Sequence, residues 1–189
     1  MLYTGKGDDG TTKTFGCDQR ILKSSAVAEA LGTLDEVNSF LGIVKVKCEF
    51  IDEAFFLQEK SFSSIVEEIQ QNLFVIQAEI AGADKHINEE KIRQCELLID
   101  IAEKELPPIK TFFISGGTEI AALFDVARTL TRRAERRVVA SVAEGTTLGE
   151  WTLAYLNRLS SLLYALARLS NHKAGILENS PTYNNESNI

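Results

Sequence analysis

Only three prolines interrupt this chain, two of them adjacent at Pro107-Pro108 and the third at Pro181 near the C-terminal end. Proline removes a backbone donor and clashes with the preceding turn, so long stretches without it are free to run as helix. The intervening tracts are rich in Leu, Ala, Glu, Lys and Arg, the residues that lose least on entering a helix. Their apolar positions recur at helical spacing. Val27, Leu31, Leu34, Val37, Leu41 and Val44 mark a first helix, starting at Ser24 or Ser25 as N-cap and reaching about Lys47. Ile65, Ile69, Leu73, Ile76 and Ile80 mark a second over 65–81, stopped by Gly82. Asn88 caps a third, which carries Ile92, Cys95, Leu98, Ile99 and Ala102 and ends at Pro107-Pro108. Thr118 or Ser115 caps a fourth, broken at Gly145. Leu156, Leu159, Leu163, Leu166 and Leu169 lie in a fifth over 148–173. Residues 51–61 are expected to be irregular or partly helical. Five helices on short connections predict an all-α, up-and-down five-helix bundle with flat lateral faces suited to a homo-oligomer.

With 189 residues there is room for one domain with a substantial core. We divide it into an N-terminal loop or arm over 1–23, a bundle over 24–175 and a flexible tail over 176–189. The net charge of −7 argues against a nucleic-acid or anionic-membrane binder, which needs an extended basic surface. No apolar run reaches membrane-spanning length. Three dispersed cysteines without a CxxC and only two histidines speak against a disulfide framework, a zinc site or a Ser-His-Asp triad. A reducing, cytoplasmic setting is expected.

Against that acidic background one stretch stands out. Arg128, Arg132, Glu135 and Arg136 fall on one stripe of the fourth helix, where like charges four apart repel by about 0.2–0.5 kcal/mol per pair. Two readings are open from the residues alone: a solvated face on which Glu135 pairs with Arg132, or a site for a small anion. The loop Thr4-Gly5-Lys6-Gly7-Asp8-Asp9-Gly10-Thr11-Thr12 matches GxGxxG but has no strand before it and no helix directly after, and it lacks the P-loop lysine. It is either a flexible arm or a set of backbone N–H groups able to wrap phosphates. On the first helix, Ala28, Gly32, Asp35, Ser39 and Gly42 form a small, polar face around one carboxylate. Phe112-Phe113 beside Gly116-Gly117 is either a plug for the bundle end or one wall of a pocket. Asn157, Ser161, Tyr164 and Arg168 make a polar face on the fifth helix.

Taken in order, these motifs form a set: the Thr4–Thr12 loop, Lys23, Gly32-Thr-Leu-Asp35-Glu36-Val-Asn38, Phe112 before Gly116-Gly117, Arg128-Thr-Leu-Thr-Arg132-Arg133-Ala-Glu135-Arg136, and Tyr155-Leu-Asn157-Arg158-Leu-Ser. Over about residues 2–172 the chain resembles the PduO-type ATP:corrinoid adenosyltransferases. The resemblance implies a ferritin-like five-helix bundle assembled as a homotrimer, with ATP between subunits. It implies a transferase in which cobalt(I) of reduced cobalamin or cobinamide attacks the 5′-carbon of ATP, yielding adenosylcobalamin and triphosphate. By position it places Thr4, Gly5, Lys6, Gly7, Thr12, Lys13 and Lys23 on the triphosphate. It places Arg132, Arg133, Glu135 and Arg136 on the nucleotide, and Asn157 near nucleotide and Mg²⁺. Asp35 and Arg128 match an ion pair across the subunit interface, and Phe112 matches the aromatic that displaces the corrinoid's lower ligand. A corrinoid reductase and an adenosylcobalamin-dependent enzyme are the implied partners. Two positions depart from the family's pattern, Asp9 where many members have Lys and Ser161 where Asp is frequent. A carrier or sensor on the same scaffold is the alternative.

Overall fold

The computed structural model describes residues 3–15, 19–50 and 56–182. Five helices carry it: α1 (Ala26–Glu49), α2 (Phe62–Ile80), α3 (Glu89–Glu105), α4 (Glu119–Ala143) and α5 (Thr152–Lys173). Two small antiparallel hairpins accompany them, β1 (Thr11–Lys13) with β2 (Arg20–Leu22), and β3 (Phe56–Leu57) with β4 (Lys60–Ser61).

The helix starts follow from their caps. Ser25, Asn88 and Thr118 accept from the backbone N–H of Ala28, Lys91 and Ala121, so each satisfies one donor left unpaired by the first turn. Two boundaries differ from the sequence expectation. Ser61 caps α2 by accepting from Ser64 N–H, which moves the start to Phe62, three residues before Ile65. At the other, α5 begins at Thr152 and not at Leu148, because the Gly149 N–H is drawn to the Glu79 carboxylate of α2. In the stretch expected to be irregular, residues 56–61 form the β3–β4 hairpin, turning at Gln58 with φ 55°; 51–55 lie outside the described residues. Leu106 is extended before Pro107, as the ring demands of its predecessor.

Side-chain pairs between helices fix their directions. Lys47–Glu119 and Arg137–Glu29 bind opposite ends of α1 and α4, so these two run antiparallel. Asn38 and Gln70 join α1 to α2, and Lys45–Glu67 continues the pairing in the antiparallel sense. Glu96–Arg158 and Glu105–Lys173 advance together, so α3 and α5 are parallel. Direction therefore alternates along the chain, while the spatial neighbours of α1 are α2 and α4 and those of α5 are α4 and α3.

The core is one contiguous cluster drawn from all five helices, including Leu34, Leu41, Ile65, Leu73, Ile76, Phe124, Leu156, Leu159 and Leu166. Each such side chain contributes about 1.5–3 kcal/mol by leaving water. Phe62 and Phe124 meet edge to face at 6.0 Å. Polar groups inside find partners, as where Asn72 donates to the Tyr155 hydroxyl at 3.0 Å; the buried Gln77 Nε2 is the exception among the described residues. Burial pushes the Cys95 thiol up to about 12 and holds the Tyr155 phenol well above its ordinary value, so both stay neutral. Among the described residues no helix is long and apolar enough to cross a membrane.

Residues 176–182, within the expected flexible tail, make contacts with the rest of the chain. Glu178 is ion-paired to the buried Arg168, and the Asn179 carbonyl accepts from Ile114 N–H at 2.8 Å. Composition alone marked this segment as uncommitted, since a polar stretch gives no hint that its acid meets a buried cation. Residues 183–189 lie outside the described residues.

Candidate active site

The arginines of α4 divide by face. Arg133 and Arg137, one turn apart, are paired to Glu36 and Glu29 of α1. Arg132 and Arg136 have no carboxylate within ion-pairing distance among the described residues. Arg136 instead donates to the Arg132 carbonyl at 3.0 Å, and both side chains are exposed. The Glu135–Arg132 pairing that an ordinary surface face would show is not formed; Glu135 accepts from the Asn157 amide of α5 at 3.3 Å. Two like charges one turn apart, without a counter-charge among the described residues of an acidic protein, leave a local excess of positive charge.

Arg128 and Arg132 line a cleft of about 580 Å³ together with Ile109, Phe112, Ser161 and Tyr164. Arg128 pairs with Asp125 at 3.3 Å and lies 5.6 Å from the centroid of the Tyr164 ring. Burial raises the Tyr164 hydroxyl above its ordinary value, leaving a neutral phenol on the wall. Phe112 is 78% exposed, so the aromatic pair is a pocket wall and not a plug. Its backbone, by contrast, is fastened on both sides. Arg168 donates to the Pro107 carbonyl, and Asp125 accepts from Gly116 N–H. Asn171 bridges the Gly116 carbonyl and the Thr118 N–H at 2.8 and 2.9 Å. Gly117 is required here, since its φ is +104° and a Cβ would stand 2.3 Å from Asn171 Oδ1. Asp125, Arg168 and Asn171 were not singled out for this work by the sequence. Polar residues on the inner side of an apolar helix face were the only signal.

The N-terminal loop is built around Arg20, another residue the sequence reading passed over. Its guanidinium donates to the carbonyls of Lys6 and Thr11 and to the Thr11 hydroxyl, and it lies 3.6 Å from Asp9. Asp9, which looked like a weakness in a phosphate loop, accepts from the Thr11 N–H and hydroxyl, at 2.9 and 2.7 Å. The Thr11 hydroxyl bond, more than any other contact, holds its carboxyl below the usual range. Lys23 donates its N–H to the Gly10 carbonyl, and its ammonium packs beside Gly7, where a Cβ would come within 3.2 Å. Gly7 and Lys23 are thus gathered, while Gly5 accepts from Asp8 N–H, Thr4 accepts from Lys6 N–H, and Thr12 and Lys13 lie on β1.

Asp35 stands apart. It is exposed in a second hollow with Phe15, Gly32, Phe74, Gln77 and Ala81, between α1 and α2. One chain does not bring Asp35 and Arg128 together. Asn157 Oδ1 accepts from Arg158 at 2.9 Å, which uses one of its two lone pairs.

The family model for cobalamin adenosyltransferase matches residues 2–170. The chain belongs to the cobalamin adenosyltransferase family. The corrinoid adenosyltransferase of Bacillus subtilis is 37% identical over 182 residues, covering 93% of this chain and 89% of that protein. Corrinoid adenosyltransferase PduO of Salmonella typhimurium is 38% identical over 186 residues, or 93% of this chain, but the chain spans only 52% of that relative's length. Among solved structures, a variant PduO-type ATP:co(I)rrinoid adenosyltransferase from Lactobacillus reuteri complexed with ATP superposes with a TM-score of 0.83 at 30% identity, covering 96% of this chain and 100% of that one. Another variant of that enzyme, complexed with cobalamin and ATP, gives 0.83 at 32% identity and covers 98% and 100%.

Proposed function

We propose that this chain is an ATP:corrinoid adenosyltransferase, converting reduced cobalamin or cobinamide to the adenosyl form. The observation that carries the reading is the cleft that an exposed Phe112 lines with Arg128 and Arg132, with Arg132 and Arg136 lacking a counter-charge among the described residues. The cobalt(I) electron pair forms the Co–C bond, the C5′–O bond of ATP breaks, and that bond's pair leaves with triphosphate. The nucleophile is the substrate's own metal, so no activated Ser, Cys or His is needed. The protein's share is to align two reactants and hold a polyanionic leaving group. Arg132, Arg136 and the Arg20-organised loop with Lys23 supply the positive charge, and Arg133, Glu135 and Asn157 border the nucleotide.

Mg²⁺ fits as a companion of ATP. Among the described residues no group of three or more His, Cys, Asp or Glu side chains is placed to hold a metal. Magnesium is ordinarily held by one or two protein oxygens plus substrate phosphates, and Glu135 with Asn157 offers such a pair. Bound there it would neutralise part of the triphosphate charge.

The assembly we propose is a homotrimer. Asp35 and Arg128 lie on different faces, so their pairing requires a second copy. The same hollow holds Gln77, whose buried Nε2 has no partner among the described residues, and the 59% exposed Phe74. The buried thiol of Cys95 accords with a cytoplasmic setting. A corrinoid reductase upstream and an adenosylcobalamin-dependent enzyme downstream complete the scheme.

The test is turnover: Mg-ATP with reduced cobalamin or cobinamide, followed by the change in corrinoid absorbance. Formation of the adenosyl product is expected, and no conversion of either corrinoid would sink the reading.

A further inference from the structure

Arg168 is the buried arginine of the described residues, 4% exposed, on a helix whose other inward side chains are mostly leucine and alanine. A buried guanidinium must be paired and hydrogen-bonded to be tolerated. Its partners all lie outside α5. Nε donates to Glu178 Oε2 at 2.9 Å, a terminal nitrogen donates to the Pro107 carbonyl at 3.3 Å, and the guanidinium sits 4.8 Å from the centroid of the Phe113 ring. Glu178 is itself largely buried, with 15% of its side chain exposed. One residue along, Asn179 accepts from Ile114 N–H, so the 176–182 segment grips the connector on the far side of Phe112 and Phe113. A side chain needed only to pack α5 would not require these contacts.

We infer that Arg168 and Glu178 are positioning residues for Phe112, and that the C-terminal segment over 176–182 is a working part of the corrinoid cleft. The clamp seats the Phe113 ring on the guanidinium. The adjacent Phe112 ring is then left projecting into the cleft that Arg128, Arg132 and Tyr164 line. The inference rests on the adenosyltransferase reading and extends it to substrate choice. Phe112 matters most for a corrinoid whose lower ligand must be displaced. Loosening the clamp therefore penalises cobalamin and spares cobinamide, which carries no lower base.

The experiment compares Glu178→Gln and Arg168→Lys with the unaltered protein. The readouts are turnover with cobalamin and with cobinamide, the dissociation constant for Mg-ATP, and the spectrum of cobalt(II) cobalamin in the presence of Mg-ATP. Thermal melts check folding, and Glu178→Gln, nearly isosteric at the less buried end of the clamp, carries the test if Arg168→Lys does not fold. The expected result is at least a fivefold loss of kcat with cobalamin and at least a halving of the four-coordinate cobalt(II) signal. Cobinamide turnover and Mg-ATP affinity should stay within twofold. Equal losses with both corrinoids, or an unchanged cobalamin rate in Glu178→Gln, would overturn it. An unaltered protein inactive with both corrinoids would overturn the enzyme reading itself, a result separable from either.

Discussion

Glu79 and His86 meet at 2.9 Å, Oε1 to Nδ1, where the last turn of α2 faces the approach to α5. The same carboxylate accepts from Gly149 N–H and, at 2.5 Å, from the Thr152 hydroxyl, and so caps a helix that has no side-chain cap of its own. Asp84 lies 3.3 Å from the other imidazole nitrogen.

The Glu79 hydrogen bond is the main cause that raises His86 above its ordinary 6.5. A group raised on folding stabilises fully below its unfolded value, and that contribution is lost as pH rises through the folded value. The protein's melting temperature should therefore carry a component that declines as pH climbs above about 6.5. His86→Gln should remove that component while leaving the rest of the profile in place. Identical pH profiles for the two proteins would show that the pair has no linkage to folding.

Replacing Glu79 by Ala strands the Gly149 N–H and the Thr152 hydroxyl in a buried place. Unsatisfied groups cost about 1–3 kcal/mol each, so a loss of about 2–6 kcal/mol is expected in chemical denaturation. Hydrogen exchange should locate it in the first turn of α5. A loss under about 1 kcal/mol would mean that water replaces the carboxylate.

Arg132→Ala and Arg137→Ala should differ sharply although the residues share a helix. Arg132 faces the cleft without a counter-charge among the described residues, and losing it should lower turnover about 100-fold or more with the helical circular dichroism intact. Arg137 is engaged by Glu29 in a half-exposed pair that contributes roughly 0–1 kcal/mol, so its removal should leave turnover within about threefold. Comparable losses from both would assign the whole column to one function.

Gly117→Ala should destabilise by about 1–3 kcal/mol from backbone strain alone and displace Asn171 besides. Gly32→Ala behaves oppositely. Nothing lies within 4 Å of the added methyl, and the helix gains about 0.5–1 kcal/mol. Should a second copy seat on this face, sedimentation will show weaker assembly for Gly32→Ala even as the subunit becomes more stable.

How much of this was visible in the residues depended on the range of the interaction. The caps Ser25, Asn88 and Thr118 and the apolar registers act within one or two turns, so the five helices could be placed before any coordinates. Interactions spanning tens of residues leave no local trace. Glu79 reaches α5 over a gap of 70 residues and shifts its start. Arg20 looked like any loop cation, and Arg168 like one more polar position on α5. The α4 stripe is the instructive case. Spacing showed that its arginines repel, but only the antiparallel course of α1 decides that their neighbours Arg133 and Arg137 are neutralised. On the stripe itself Arg128 meets Asp125, while Arg132 and Arg136 have no carboxylate in ion-pairing range among the described residues.

That selective neutralisation sets the range of the site's attraction. At physiological ionic strength a charge is felt over about 8 Å, little more than one helical turn. Beyond that distance an approaching polyanion meets the −7 of the whole chain and is turned away. Within it, Arg132 and Arg136 dominate. A long phosphate polymer cannot enter without laying most of its length against repulsive surface. A triphosphate is short enough to sit wholly inside the attractive zone, so a site used as proposed would discriminate by the size of the anion before any base or sugar is touched.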